Sequence, residues 1–318
     1  MFFVSIAVVL LSLKTPESSK TQKGKRIMAK LAIIGSGIVG QATGKGFIAN
    51  GHDVVFCDIN PEVLVKLENQ GHRTCPPHLL GQETEVEAFF LAISTPTVDG
   101  TIQLGFLRGA VANLGTVLKN YNGYCIVVVR STVPPSTTAG SLIPLLEKYS
   151  GKKAGQDFGV CMNPEYLREN RNEEDFKNPW AITIGELDAK SGERLEKIYG
   201  QHDCPMVHVS LKEAETQKYV HNLFNACKIS FFNEMRMICE TMEVDADKVF
   251  ELVAKSAEAS WNPKYGIRNL GPYGGTCLPK DTTAFLAWAK DELGKSMPLM
   301  TAVIKVNEIT REKGNRLK

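Results

Sequence analysis

The sequence has little net charge and few of the patterns that mark specialised protein classes. Its 37 basic and 35 acidic residues leave a formal charge of +2, which gives no electrostatic reason to expect nucleic acid or an anionic membrane as a partner. None of the eight cysteines forms a C-x-x-C pair, and the six histidines show no metal-ligand spacing. We therefore expect reduced thiols, no metal site and a cytoplasmic location.

A hydrophobic run long enough to span a bilayer is also missing. The first segment, MFFVSIAVVLLSL, is apolar for only about a dozen residues and lacks the positive charges that precede the apolar core of a signal peptide. A polar basic stretch, KTPESSKTQKGKR, follows it and is typical of a linker. We interpret residues 1–27 as an N-terminal extension outside the fold, with a membrane anchor as the alternative.

From Met28 onward the sequence alternates apolar runs with amphipathic stretches. Unbroken β-branched runs that alternate with helices are typical of a parallel sheet covered on both faces. We therefore predict a doubly wound α/β domain of the Rossmann type over residues 28–210. The runs that we assign to strands are KLAIIG, DVVFCD, AFFLAIS, CIVVVRST, DFGVCMNP, AITIGE and PMVHVS.

The character of the chain changes after Ser210. Residues 211–244 contain no glycine or proline and repeat apolar positions at intervals of three and four, which predicts one long helix. Shorter helical patterns follow, near residues 245–256, 279–293 and 298–312. Residues 211–318 should therefore form an all-α domain. The long helix has more apolar positions than a small domain can cover, so we expect a homodimer to bury Leu223, Ala226, Ile229, Phe232 and Met235.

A glycine-rich turn follows the first predicted strand. Gly35-Ser-Gly37-Ile38-Val39-Gly40 opens a helix, and Asp58 ends the next strand. Gly35 permits a tight turn, Gly37 lets backbone N–H groups approach a pyrophosphate, and Gly40 allows close helix–strand packing. The carboxylate of Asp58 would accept ribose hydroxyls and repel a 2′-phosphate. The pattern predicts a dinucleotide site, including Ile38 and Val39, that favours NAD over NADP.

Two further loops lie at predicted strand ends, where sheets of this type bind ligands. They are Ser94-Thr95-Pro96 and Ser131-Thr132-Val133-Pro134. Thr95 and Thr132 are candidate ligand contacts, although Ser, Thr and Pro also suit ordinary turns.

The stretch GGTCLPKD combines a thiol with a helix start. Pro279 suits the first helical position, which puts Cys277 at the N-terminal end of that helix. There the helix dipole and Lys280 would lower the pKa of the thiol and make a thiolate available. In a nicotinamide enzyme, such a nucleophile can hold an aldehyde as a thiohemiacetal and leave a thioester after hydride transfer. The alternative is a buried cysteine beside a capped helix.

Together these motifs resemble the UDP-glucose/GDP-mannose dehydrogenase family. The resemblance covers about residues 28–310 and consists of GSGIVG, ISTPT, VVRSTVPPST, MNPEYLREN, ETQKYVHNLFNACKISFFNE and YGGTCLPKDTTAF, in the family's order. It implies an NAD-dependent oxidation of the C6 alcohol of a nucleotide sugar to a carboxylate, a reaction of polysaccharide biosynthesis. The form CLPKDT resembles the UDP-glucose and GDP-mannose branches, and we favour UDP-glucose because that branch is broader.

The resemblance also implies roles for single residues. Cys277 resembles the family's nucleophile, and Lys218 and Asp281 resemble its oxyanion-stabilising and water-activating partners. Asn222 follows Lys218 by one helical turn and would share its face. Glu165 resembles the general acid/base, with Thr132 nearby, and Lys280 resembles a cofactor contact. The residues implied in sugar and diphosphate binding are Glu165, Tyr166, Leu167, Lys218, Asn222, Arg268, Tyr273 and Gly274.

Two departures from the family pattern stand out. Val63 occupies the position where the family commonly has a basic residue near the adenosine, so we expect weaker cofactor binding. The family usually continues into a second Rossmann-like domain that closes over the nucleotide and supplies an arginine, whereas this sequence stops at Lys318. We expect either a truncated or split product, or a short variant whose third domain comes from a separate chain.

Three other functions remain open at this point. The sequence could specify a GDP-mannose 6-dehydrogenase, or a simpler hydroxyacid dehydrogenase of the 6-phosphogluconate type, which needs no cysteine nucleophile. It could also specify a non-catalytic NAD-binding or assembly subunit. The GGTCLPKD loop argues against the hydroxyacid dehydrogenase.

Overall fold

A computed structural model describes residues 29–99, 101–168, 171–263, 265, 272–275 and 277–316. The predicted extension and Arg268 lie outside these residues, as do the side chains of Cys277, Lys280 and Asp281. The chain forms two compact units, one ending at Thr216 and the other beginning at Gln217. This division falls within the long helix, slightly beyond the predicted domain boundary. No helix in the described part of the chain has the length and apolar character needed to cross a membrane.

The first unit alternates strands and helices, as the apolar runs predict. Its strands are β1 (Lys30–Ile34), β2 (Asp53–Cys57), β3 (Arg73–Cys75), β4 (Val86–Leu91), β5 (Thr97–Val98), β6 (Thr101–Ile102), β7 (Ile126–Val129), β8 (Gly159–Met162), β9 (Ile182–Glu186) and β10 (Met206–Ser210). Its helices are α1 (Ile38–Ala49), α2 (Pro61–Asn69), α3 (Gly105–Lys119), α4 (Ile143–Ser150), α5 (Asn172–Lys177) and α6 (Ala189–Tyr199). The sequence prediction missed the short strand β3 and the small β5–β6 hairpin.

Eight strands form one sheet in the order β10-β9-β8-β7-β4-β1-β2-β3. The pairs from β3 to β8 are all parallel, but β9 pairs antiparallel with β8, and β10 then runs parallel to β9. The predicted doubly wound parallel sheet is therefore confirmed, and among its described strands only the β8–β9 pair departs from the parallel arrangement. The connection through α5 returns the chain in the opposite direction, whereas the crossover through α6 keeps β9 and β10 parallel.

Hydrophobic side chains fill both faces of the sheet. Along β1, Ala32 and Ile34 point into one core with α3 and α4, while Leu31 and Ile33 point into the other with α1 and α6. Because successive strand residues face opposite sides, a strand buried on both sides has to be apolar throughout. This arrangement explains the unbroken apolar runs in the sequence.

The second unit is helical. Its elements are α7 (Leu211–Thr241), which begins in the first unit, α8 (Ala246–Ser256), α9 (Glu258–Trp261), α10 (Cys277–Leu293) and α11 (Pro298–Arg316). The carboxylate of Glu234 on α7 accepts the N–H groups of Leu299 and Met300 at 2.8 and 3.2 Å, which caps the first turn of α11. A small core forms around Ile238, Ala289 and Met297.

Candidate active site

The glycine-rich turn between β1 and α1 has the geometry that a dinucleotide requires. Gly35 has a φ of +92°, and a Cβ there would lie 2.6 Å from the carbonyl oxygen of Ala92. Gly40 packs so closely that a Cβ would lie 1.9 Å from the carbonyl oxygen of Gly35. Gly37, at the start of α1, instead has open space where its Cβ would be. Two glycines therefore shape the turn, and the third leaves room for a ligand at the helix N-terminus.

Asp58 is held beside this turn by backbone donors. Ser36 N–H donates to Oδ2 at 2.6 Å, and Asn60 N–H donates to Oδ1 at 2.8 Å. Both carboxylate oxygens are thereby fixed, and each keeps a further lone pair for a ribose hydroxyl. Val63, by contrast, lies on α2 and packs against the core that contains Leu31.

A cavity of about 830 Å³ opens above the carboxyl ends of β1, β2, β4 and β7. The predicted site residues that line it are Gly35, Gly37, Ile38, Val39, Asp58, Thr95, Thr132 and Glu165. The other wall comes from α3, including Gly105, Phe106 and Gly109. Parallel strands end at the same edge of the sheet, so motifs far apart in the sequence meet there. The cavity thus joins the predicted cofactor residues to the predicted acid/base.

The two strand-end loops are bonded to each other. Thr95 Oγ1 donates to the carbonyl oxygen of Thr132 at 2.9 Å, and Ser131 Oγ donates to that of Ile93 at 2.7 Å. These bonds hold Thr95 and Thr132 at the carboxyl end of the sheet, where both residues line the cavity. Both loops were only candidate contacts in the sequence, because their composition also suits plain turns.

The segment Asn-Pro-Glu165-Tyr166-Leu167 follows β8. Leu167 N–H donates to Glu165 Oε2 at 2.7 Å, which fixes the carboxylate within its own loop. The hydroxyl of Tyr166 is 3.0 Å from Thr183 Oγ1, and its ring is 5.3 Å from that of Trp180. Leu167 packs against the sheet core. Glu165 lines the cavity, whereas Tyr166 and Leu167 are engaged beside β9.

The remaining predicted site residues within the described chain belong to the second unit. Lys218 and Asn222 lie one turn apart on α7, with Lys218 buried and Asn222 exposed. The carbonyl oxygen of Tyr273 accepts a hydrogen bond from Asn307 Nδ2 at 3.1 Å, and Gly274 is exposed. Helix α10 begins at Cys277, so Pro279 is its third residue instead of its first. The roles of these residues stay predictions.

Models of known protein families match most of the chain between residues 30 and 309. Residues 78–203 match the NAD binding domain of the UDP-glucose/GDP-mannose dehydrogenase family, and residues 212–309 match the central domain of that family. Residues 30–108 also match the family of NADP oxidoreductases that depend on coenzyme F420. That third match covers the glycine-rich turn and Asp58, which many dinucleotide-binding proteins share.

Individual relatives agree with these matches. The GDP-mannose 6-dehydrogenase of Pseudomonas syringae pv. tomato is 33% identical, over 87% of this chain and 68% of the relative. The UDP-glucose 6-dehydrogenase AglM of Haloferax volcanii is 34% identical, over 88% of this chain and 69% of the relative. A crystal structure of a ternary complex of the GDP-mannose dehydrogenase from Pseudomonas aeruginosa superimposes with a TM-score of 0.82 at 30% identity, covering 89% of this chain and 69% of that one.

The chain belongs to the UDP-glucose/GDP-mannose dehydrogenase family. Residues 78–203 of its first unit match the family's NAD-binding domain, and the glycine-rich turn and Asp58 line the cavity in the same unit. This family assignment replaces the alternative of a hydroxyacid dehydrogenase of the 6-phosphogluconate type.

Three residues of this family member that sequence reasoning missed also support the site. A Cβ at Gly44 would lie 2.3 Å from the ring of Phe56, so this glycine lets α1 pack on β2. The fully buried carboxylate of Glu215 accepts the N–H groups of Ser136 and Thr138 at 2.5 and 2.7 Å, which anchors the loop after Thr132. Arg130 is buried beside the same loop. For Glu215 and Arg130 the available sequence signal was a charged residue inside a helical or an apolar pattern.

The cysteines whose side chains are described are free thiols. Burial raises the pKa of Cys57 and of Cys125 to about 12, and it also raises the pKa of Cys161. A neutral thiol is a poor nucleophile, so these residues act as packing groups. Within the described residues, no group of His, Cys, Asp and Glu side chains is placed to hold a metal ion.

Proposed function

We propose that this protein oxidises the C6 alcohol of UDP-glucose to the carboxylate of UDP-glucuronate, with NAD as the oxidant. The observation that carries the proposal is the cavity that brings the glycine-rich turn and Asp58 together with Thr95, Thr132 and Glu165. Each of the two oxidation steps would transfer one hydride to one NAD, so a second NAD would have to replace the first NADH before the second step. The open space at Gly37 and the acceptor oxygens of Asp58 suit its pyrophosphate and ribose.

The chemistry that we propose for the chain's own residues follows from their types. Glu165, which lines the same cavity as Thr132, takes the hydroxyl proton as the alcohol becomes an aldehyde. The Cys277 thiolate then adds to the aldehyde carbon to form a thiohemiacetal, while the Lys218 ammonium and the Asn222 amide stabilise its oxygen. Loss of a second hydride leaves a thioester. Water activated by Asp281 cleaves it, which releases the carboxylate and restores the thiol.

GDP-mannose is the second candidate substrate. It is favoured by the superposition on the Pseudomonas aeruginosa enzyme and by relatives of both specificities at nearly equal identity. A third candidate is an NAD-binding or assembly subunit without turnover. These relatives extend beyond the region that matches this chain, so we propose that activity can depend on the unmatched part.

The decisive experiment measures NADH formation with UDP-glucose and with GDP-mannose. The chain is assayed alone and with the unmatched region of the Haloferax volcanii relative supplied as a separate polypeptide. We expect two NADH for each UDP-glucose consumed. Faster turnover of GDP-mannose would replace the substrate. Tight NAD binding without turnover in either format would leave the binding subunit as the function.

We also propose that the exposed side of α7 forms a homodimer interface. Leu223 and Ile229 are each 61% exposed, and an apolar helix face of this kind is normally covered by a partner. Two of the predicted interface residues pack elsewhere: the ring of Phe232 is 4.9 Å from that of Phe250, and Met235 packs against the core around Ile238. The proposed interface therefore keeps Leu223, Ala226 and Ile229.

A further inference from the structure

Arg130 is a buried cation at the carboxyl end of the interior strand β7. It directly follows β7, is 5% exposed and contributes to the wall of the cavity. Its side-chain partners within the described part of the chain are all uncharged. Nε donates to Thr43 Oγ1 at 2.8 Å, and Nη1 donates to Asn163 Oδ1 at 2.5 Å and to Tyr199 Oη at 3.2 Å. The guanidinium also lies 5.9 Å from the centre of the Phe176 ring.

A buried charge without a counter-ion is costly, because the loss of hydration is repaid only by hydrogen bonds. A methionine or leucine would fill a similar volume in this aromatic pocket without that cost. The planar guanidinium offers something that an apolar side chain lacks, since it donates to several acceptors in fixed directions. The hydrogen-bond partners of Arg130 should therefore explain why a charged side chain occupies this buried position.

These contacts join two loops at their base. Arg130 immediately precedes Ser131 and Thr132, and Asn163 stands two residues before Glu165. Asn163 is itself tightly held, because its N–H donates to the carbonyl oxygen of Val129 at 2.9 Å and its Nδ2 donates to that of Thr183 at 2.8 Å. Arg130 Nη1 also reaches the backbone carbonyl oxygen of Asn163 at 3.3 Å.

We propose that Arg130 is a positioning residue that sets the distance and orientation between Thr132 and Glu165 by binding Asn163. The role of this pair in turnover rests on the proposed function, but the mechanical link does not. Arg130 touches Asn163 and not the reacting atoms. Its effect is to keep the carboxylate and the hydroxyl on one side of the cavity while the substrate and cofactor are bound.

The test compares Arg130→Met and Arg130→Lys with the unmodified chain and with Arg108→Met. Arg108 is an exposed residue of α3 whose guanidinium donates to Ser141 Oγ at 3.2 Å, which makes it a matched control. Amide hydrogen exchange is followed at Asn163 and Leu167, whose N–H groups have defined acceptors. Steady-state rates are measured in the assay format that gives turnover, and melting temperatures report folding.

We expect exchange at both amides to rise about 10-fold in Arg130→Lys, because an ammonium cannot make all the bonds of the guanidinium fork. We expect kcat to fall about 100-fold in Arg130→Met and less in Arg130→Lys, with little change in KM for the cofactor. A purely structural residue would change the melting temperature without this division between kcat and KM.

Unchanged exchange at Asn163 and Leu167 in Arg130→Lys would overturn the proposal, as would a kcat for folded Arg130→Met within about twofold of the unmodified chain. If Arg130→Met does not fold, Arg130→Lys and Asn163→Ala provide the same comparison from the two ends of the bond. If the unmodified chain shows no turnover, the proposed function fails while hydrogen exchange still decides whether Arg130 fixes the loop.

Discussion

The two units bury their apolar residues to very different degrees. In the first unit, both faces of the sheet are covered by helices, and the largest side chains, such as Phe47, Phe89 and Phe158, are fully buried. In the second unit, the described core is small, and apolar side chains including Leu223, Ile229 and Val306 remain exposed. The first unit has the core of an independent domain, whereas the second leaves exposed the apolar surface on which the proposed homodimer interface rests.

The division applies to chemistry as well. The predicted cofactor-binding residues lie in loops of the first unit. There the glycine-rich turn and Asp58 share one cavity with Glu165, the predicted acid/base. The proposed nucleophile belongs to the second unit, at the start of α10. A substitution in one unit should therefore change the function assigned to that unit and leave the function of the other unit unchanged.

The largest effect is expected from the proposed nucleophile in the second unit. Cys277→Ser should slow oxidation of the aldehyde by on the order of 10³-fold, because a serine hydroxyl is far less ionised than a thiolate. It should also trap a long-lived ester, which mass spectrometry can detect. Cys161→Ser and Cys227→Ser are the matched controls and should affect packing at most. An unmodified rate in Cys277→Ser, measured in the active assay format, would remove support for the thioester mechanism.

Two glycines of the first unit should separate stability from binding. Gly40→Ala places a Cβ against the backbone of Gly35 and should cost about 1–3 kcal/mol of unfolding free energy. Gly37→Ala has open space around its Cβ, so stability should hold while NAD affinity falls about tenfold. Urea unfolding and NAD titration measure the two effects. Equal NAD affinity in Gly37→Ala and the unmodified chain would place the pyrophosphate elsewhere.

Cofactor choice should depend on Asp58. The unmodified chain is expected to bind NAD more tightly than NADP because the carboxylate faces the extra phosphate. Asp58→Ala should reduce that preference to within about a few-fold, whereas Asp53→Ala, a control on the exposed Arg73 ion pair, should leave it unchanged. Isothermal titration with both cofactors is the measurement. Equal dissociation constants in the unmodified chain would contradict the prediction.

The smallest effect is expected on the proposed association of two chains through α7 of the second unit. Light scattering of the unmodified chain should give about twice the 35.0 kDa of a single chain. Ile229→Glu should shift the mass toward the monomer while leaving the melting temperature of the first unit unaltered. Val65→Glu, at an exposed apolar position of α2, serves as the control. A monomer at micromolar concentration in the unmodified chain would show that α7 is not the interface.

Much of the first unit could be predicted because its signals are local. Unbroken apolar runs mark strands that are buried on both faces, and the spacing of Gly35, Gly37 and Gly40 reflects steric limits within a single turn. The reversal at β9 could not be predicted, because a strand's direction depends on how the chain returns through α5. The roles of Arg130 and Glu215 were missed for a similar reason, since their partners lie tens of residues away in the sequence.

The sequence by itself determined the succession of strands and helices, the dinucleotide fingerprint and the family, because each depends on neighbouring residues or on motifs in a fixed order. The tertiary structure decided which of the candidate residues share a cavity and which side chains of α7 are buried. It also decided that a buried arginine links the loops of Thr132 and Glu165. These outcomes depend on distances between segments, which no local pattern encodes, and they exist only once parallel strands bring their carboxyl ends to a common edge.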